Sequence, residues 1–170
     1  MTPELANIGR VVLGIGGIAV HQGGSGLIIT HALGSCVGIT VWDPQTNIGG
    51  MLHAQLPLSA QNKELSSQRP ALFVDTGMAA LITGAERLGA TRRHLRICIA
   101  GGASIALQGV ANDVFNIGNR NLTVLRKILW QHGLLVAAED TGGTVPRTLT
   151  LDFASGSTRL STAGVERILA

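Results

Sequence analysis

Tyrosine is absent from this 170-residue chain, and its aromatics are three Phe and two Trp. So few rings leave little for base stacking, which most single-strand nucleic-acid surfaces need. Charge is also scarce. Lys, Arg, Asp and Glu make up 14% of the residues, against about a quarter in an average domain. The net charge of +3 spread over this length is a weak field for a polyanion partner. The densest basic cluster, Arg87, Arg92, Arg93 and Arg96, has no aromatic among it and reads as a solvated helix end and loop. There are only two cysteines, Cys36 and Cys98, which excludes a disulfide-stapled scaffold and a cysteine-based zinc module. The five histidines have neither HxH nor HExxH spacing, so no metal or other cofactor is expected. Long apolar runs are missing too. Residues 11–20 are apolar for only ten positions and include three glycines. Met1-Thr2-Pro3-Glu4 has no basic n-region, so the expectation is a cytoplasmic protein with no membrane insertion.

What the chain does have is glycine, 23 residues against a usual share of about 7%. With 45% apolar residues and no linker or repeat, the expectation is a single domain over 1–170. Strands are predicted over 11–20, 26–30, 37–42, 48–54, 95–100, 134–138 and 148–153, with a short one at 158–160. His21-Gln22-Gly23-Gly24-Ser25 joins the first two. Residues 55–69 read as a polar loop. A helix is predicted from Pro70 to a stop at Gly89, with Ala71, Val74, Met78, Leu81, Ile82, Ala85 and Leu88 on one face. A second carries Leu122, Leu125, Ile128 and Leu129, starts near Asn116 or Asn119 and stops at Gly133. Strands in runs rather than in alternation with helices give a mixed α/β, α+β-like class, not a doubly wound sheet. The Gly14-Ile15-Gly16-Gly17 run has no helix pattern behind it and is not a dinucleotide fingerprint.

Two residues could do chemistry together. Cys36 lies in Leu33-Gly34-Ser35-Cys36-Val37-Gly38, where a small-residue turn meets a strand. His53 lies on the return strand, and folding 37–42 back on 47–52 places the two side by side. A neighbouring imidazolium stabilises a thiolate, and the same ring can protonate a leaving group. Backbone N–H groups near Ser35 and Cys36 could face an oxyanion. From pattern alone, such a pair at a hairpin's open end is more often a packing pair than a catalytic one, and both readings stay open. Thr30, six residues before Cys36, could orient His53 or simply be a strand threonine. Asn116 in Asn116-Ile117-Gly118-Asn119-Arg120-Asn121 could cap a helix or shape a pocket rim. Cys98, within Arg96-Ile97-Cys98-Ile99-Ala100, reads as a buried small hydrophobe. Glu139-Asp140 suits a structural salt bridge with Arg120 or Arg147.

In order along the chain, Leu33-Gly34-Ser35-Cys36-Val37, Asp43, Gly49-Gly50-Met51-Leu52-His53 and Leu56-Pro57 are followed by Gly101-Gly102-Ala103, Asn116-Ile117-Gly118, Arg120-Asn121, Glu139-Asp140, Gly142-Gly143 and Arg147. This ordered set resembles the chemoreceptor glutamine deamidase family CheD over roughly residues 10–160. The resemblance implies hydrolysis of glutamine side-chain amides in methyl-accepting chemotaxis receptors. It implies Cys36 as nucleophile, His53 as base and acid, and Thr30 as third member, with Ser35, Gly34, Gly50 and Asn116 as substrate or oxyanion contacts. It also implies a β-sandwich-like core with two main flanking helices, similar to deamidating bacterial toxins, and a CheC-type phosphatase as a possible partner. His31 stands where a rival base would be tempting, but its spacing does not match. Two alternatives stay open: a non-catalytic module that regulates such a phosphatase, and a transglutaminase-like thiol acyltransferase.

Overall fold

The computed structural model describes residues 8–104 and 116–170. The Met1–Glu4 stretch read above for a leader lies outside them. Ten strands form two five-stranded sheets among the described residues. In chain order they are β1 (Arg10–Leu13), β2 (Ile18–Gln22), β3 (Leu27–Leu33), β4 (Val37–Asp43), β5 (Ile48–Ala54), β6 (Arg96–Gly101), β7 (Val136–Thr141), β8 (Arg147–Asp152), β9 (Thr158–Thr162) and β10 (Val165–Ile168). One sheet runs β1-β3-β8-β9-β10 and the other β2-β5-β4-β6-β7. The α-helices are α1 (Lys63–Gln68), α2 (Val74–Leu88) and α3 (Ile117–Gln131). The class is the mixed α+β one that the strand runs predict.

The molecule is layered sheet on sheet on helix, and parity along the central strands makes it so. Every residue of β4 and β5 is buried, because both of their faces are covered. Trp42 and Met51 point to the first sheet and pack with Leu13, Ile28, Leu33, Leu149, Leu151 and Leu160. Ile39, Val41 and Leu52 point the other way, into a cluster with Met78, Leu81 and Ala85 of α2 and Leu125 and Leu129 of α3. The predicted stop at Gly89 holds: its φ of +111° is left-handed, a conformation that costs glycine nothing. No helix among the described residues is long and apolar enough to cross a membrane.

Several expectations change. Residues 11–20 are two strands in different sheets, broken where Gly17 N–H donates to Gly14 carbonyl (2.9 Å) and Gly16 adopts φ +74°. His21 belongs to β2, not to a connection, and its ring meets Phe153 edge-on at 5.3 Å. The 55–69 stretch is not all loop, for Asn62 caps α1 by accepting from Leu65 N–H at 3.0 Å. Pro70 opens a 3-10 turn, and the α-helix proper begins at Val74. β10 has no counterpart in the predicted strands.

Candidate active site

The hairpin of β4 and β5 positions the candidate nucleophile and base. The expected pairing of residues 37–42 with 47–52 is off by two. The ladder instead pairs Asp43 with Ile48 and Gly38 with His53. A two-residue slip leaves every side chain on its expected face. It does move Cys36 from directly opposite His53 to a diagonal position just beyond the ladder. Cys36 packs in the layer between the sheets, with Leu33, Met51 and Ala100.

His53 is fixed more firmly than any other candidate. Its backbone N–H donates to Gly17 carbonyl at 2.9 Å, and its carbonyl accepts from Gly16 N–H at 2.8 Å. Its ring crosses from one sheet to the other: Nδ1 lies 2.6 Å from Thr30 Oγ1 on β3. The Thr30 hydroxyl donates to the Leu13 carbonyl at 2.9 Å. A hydroxyl has one proton, and a carbonyl can only accept, so Nδ1 carries the hydrogen toward Thr30. The basic lone pair of neutral His53 is therefore on Nε2. That atom is buried and has no hydrogen-bond partner among the described residues, Cys36 included.

Electrostatics give the pair a resting state other than the thiolate–imidazolium expected from the sequence. Burial pushes the Cys36 thiol up, and its own backbone N–H pulls the other way more weakly. Burial likewise pushes His53 down, against a smaller upward pull from the Leu13 carbonyl. Each group favours its neutral form. Cys36 is 7% exposed and His53 2%.

The turn that carries Cys36 is held from behind. Gly102 N–H donates to the Cys36 carbonyl at 2.8 Å, and Ala103 N–H to the Gly34 carbonyl at 2.7 Å. Gly101, at φ +102°, sits so close that a Cβ there would collide with the Cys36 carbonyl oxygen. On α3, a Cβ at Gly118 would fall 2.6 Å from the Gly102 carbonyl. Asn121 donates through Nδ2 to the Ser35 carbonyl at 3.0 Å and to the Gln55 carbonyl at 2.8 Å.

The structure thus brings Thr30, Gly34, Ser35, Cys36 and His53 to one region. Gly50 is not brought there, because it lies three residues from His53 and so on the opposite face of β5. A Cβ on it would press on the Ala19 carbonyl at 2.7 Å and Leu81 at 2.9 Å. Asn116 stands at the N-cap of α3 with left-handed backbone (φ 42°, ψ 42°). His31 points to the exposed side of β3, 3.3 Å from Thr148 Oγ1, and is no rival to His53. Cys98 is 2% exposed, and its thiol is pushed up by burial, with Thr158 and Thr40 hydroxyls beside it. Asp140 pairs with Arg147 (2.7 Å) and Arg167, so Arg147 rather than Arg120 is the partner. Asn121, quoted above only as part of its motif, was given no role of its own, although an Asn one turn before Leu125 interrupts an apolar helix stripe and is itself a signal. No group of three or more His, Cys, Asp or Glu among the described residues is placed to hold a metal ion.

A family model described as "CheD chemotactic sensory transduction" matches residues 55–162. The chain belongs to the CheD family. The model match begins just after His53, while similarity to individual CheD relatives reaches further. A probable chemoreceptor glutamine deamidase CheD of Solibacter usitatus is 39% identical over 160 residues, covering 94% of this chain and 93% of the relative. A protein of the same description from Pyrococcus abyssi is 41% identical over 151 residues, 89% and 90% of the two chains. A probable CheD 1 from Syntrophus aciditrophicus is 32% identical over 157 residues, 92% and 96%.

Proposed function

We propose that the chain, as one domain over 1–170, deamidates glutamine side chains of chemotaxis receptors through a thioester on Cys36. The names of its CheD relatives support the substrate class. The observation that carries the chemistry is the Thr30–His53 bond, which leaves a buried Nε2, unpartnered among the described residues, in the layer where Cys36 packs.

Because both groups rest neutral, His53 acts first as a general base. Its Nε2 takes the Cys36 thiol proton as sulfur attacks the glutamine δ-carbon. The C=O electrons move onto oxygen, which backbone N–H groups of the Gly34–Ser35–Cys36 turn receive. The oxyanion collapses, the C–N bond breaks, and His53 passes its proton to the leaving amide nitrogen, releasing ammonia. Water then attacks the thioester, giving its proton to Nε2. The C–S bond breaks, glutamate leaves, and the sulfur regains a proton from His53. The net change is glutamine plus water to glutamate plus ammonia, with no cofactor. Thr30 holds the ring and its tautomer throughout, a role parallel to the acid of a protease triad but uncharged.

Incubating the protein with a receptor cytoplasmic fragment and mapping the mass at each glutamine tests this. Conversion to glutamate by the wild type, lost in Cys36→Ala and in His53→Ala, is the expected result. No conversion, with a CheC-type phosphatase still bound, would favour the regulatory module, and crosslinks to added amines would favour a transglutaminase.

A further inference from the structure

Asn121 is fully buried on α3, yet its side chain spends both amide hydrogens on loop carbonyls. Ser35 and Gln55 can only accept there, so the orientation of the amide is fixed and Oδ1 faces elsewhere, buried and without a hydrogen-bond partner among the described residues. Ser35 immediately precedes Cys36, and Gln55 follows His53 by two residues. One side chain therefore ties the turn that carries the nucleophile to the strand end that carries the base. The β4–β5 ladder also links the two segments, but it ends at the Val37–Ala54 pair and so stops one residue short of both Cys36 and Gln55, and Cys36 and His53 share no hydrogen bond. Packing alone does not call for an amide at this position. A leucine would extend the apolar stripe of Leu122, Leu125 and Leu129, so the use of the amide here is the two carbonyls it serves.

We infer that Asn121 is a positioning residue that sets the separation and angle between Cys36 and His53 by clamping Ser35 to Gln55. The inference rests on the deamidase reading above. Asn121→Leu keeps the branched shape of the side chain and removes both bonds. Because a displacement near 1 Å can cost about 10²-fold, kcat for the receptor fragment is expected to fall by roughly 10²-fold. KM should stay within about threefold, since the substrate surface is untouched. Asn121→Ser, which retains one donor, should fall between, and it keeps the test available if the leucine variant does not fold. Activity is measured well below each variant's Tm, so a purely structural role would lower Tm and leave kcat in place. A folded Asn121→Leu with kcat within threefold of wild type would overturn the inference while leaving the deamidase reading intact. A wild type that deamidates nothing would instead sink the reading, and the inference with it.

Discussion

Replacing Thr30 by valine removes one hydroxyl from a site with no solvent access. Two bonds go with it, the 2.6 Å contact to His53 Nδ1 and the 2.9 Å bond to the Leu13 carbonyl. A buried group left without its partner costs about 1–3 kcal/mol. The Leu13 carbonyl also lies near the His53 ring. The ring can turn so that Nδ1–H meets that carbonyl directly, which repairs part of the loss. The expected destabilisation is therefore about 1–3 kcal/mol rather than twice that. The turned ring no longer aims Nε2 as before, and a misaimed base costs about 10²-fold in kcat, or roughly 2.7 kcal/mol of barrier. Thr30→Ser keeps the hydroxyl and should recover most of both losses. Denaturant unfolding gives the first quantity and receptor-fragment kinetics the second. Long-range nitrogen–proton correlation spectra of wild-type His53 check the premise. A hydrogen on Nε2 at neutral pH, or a Thr30→Val variant with kcat within threefold of wild type, would refute the reasoning.

Other outcomes follow from the same geometry. Since His53 is depressed below 6.5 and must be neutral to take a proton, kcat/KM should rise with pH through that depressed value and hold across neutrality. A buried group with a lowered basic pKa also supports the fold above 6.5 and loses that support as pH falls below it, visible as a declining Tm. Cys36 should alkylate slowly with iodoacetamide at pH 7, faster than Cys98, and accelerate only above pH 9; a faster Cys98 contradicts the assignment. Gly101→Ala forces a side chain into left-handed backbone against the Cys36 carbonyl and should cost at least about 1–3 kcal/mol, read by denaturant unfolding. Asp140→Ala strands the buried Arg147 guanidinium and should destabilise by about 3 kcal/mol. Asp140 is held below its ordinary range by Arg147 and Arg167, against the opposing effect of burial, so its contribution is present at neutral pH and lost as pH falls through the lowered value.

Periodicity carried much of this fold into view. The hairpin, the apolar stripe of α2 and the Gly89 stop are all read directly from residue spacing. The break at Gly14–Gly17 was hidden because glycine has no side chain to register a face, and an apolar run with glycines looks like one strand. The hairpin's loop has the expected four residues but lies one position further along, at 44–47 instead of 43–46, because Asp43 is the last ladder residue and its side chain accepts from Gln45 N–H at 2.9 Å; that shift of one moves the register by two. Gly50 lies on the face of β5 away from His53, as parity already implied: three residues along a strand always reverses the face. The pairing of Thr30 with His53 joins two sheets, so no local pattern could give more than its spacing. Asn121 acts through backbone carbonyls, which carry no residue identity, and only its intrusion into an apolar stripe betrayed it.

The claim at the centre of the account is that Cys36 carries the substrate's acyl group. Acid-quenching the protein during turnover of a receptor fragment, then mass-mapping the peptide that holds Cys36, tests it most directly. The account predicts a thioester adduct of the glutamine-bearing peptide on Cys36, with ammonia already lost, and none on Cys98. Turnover of glutamine to glutamate by a Cys36→Ala variant at the wild-type rate would contradict it.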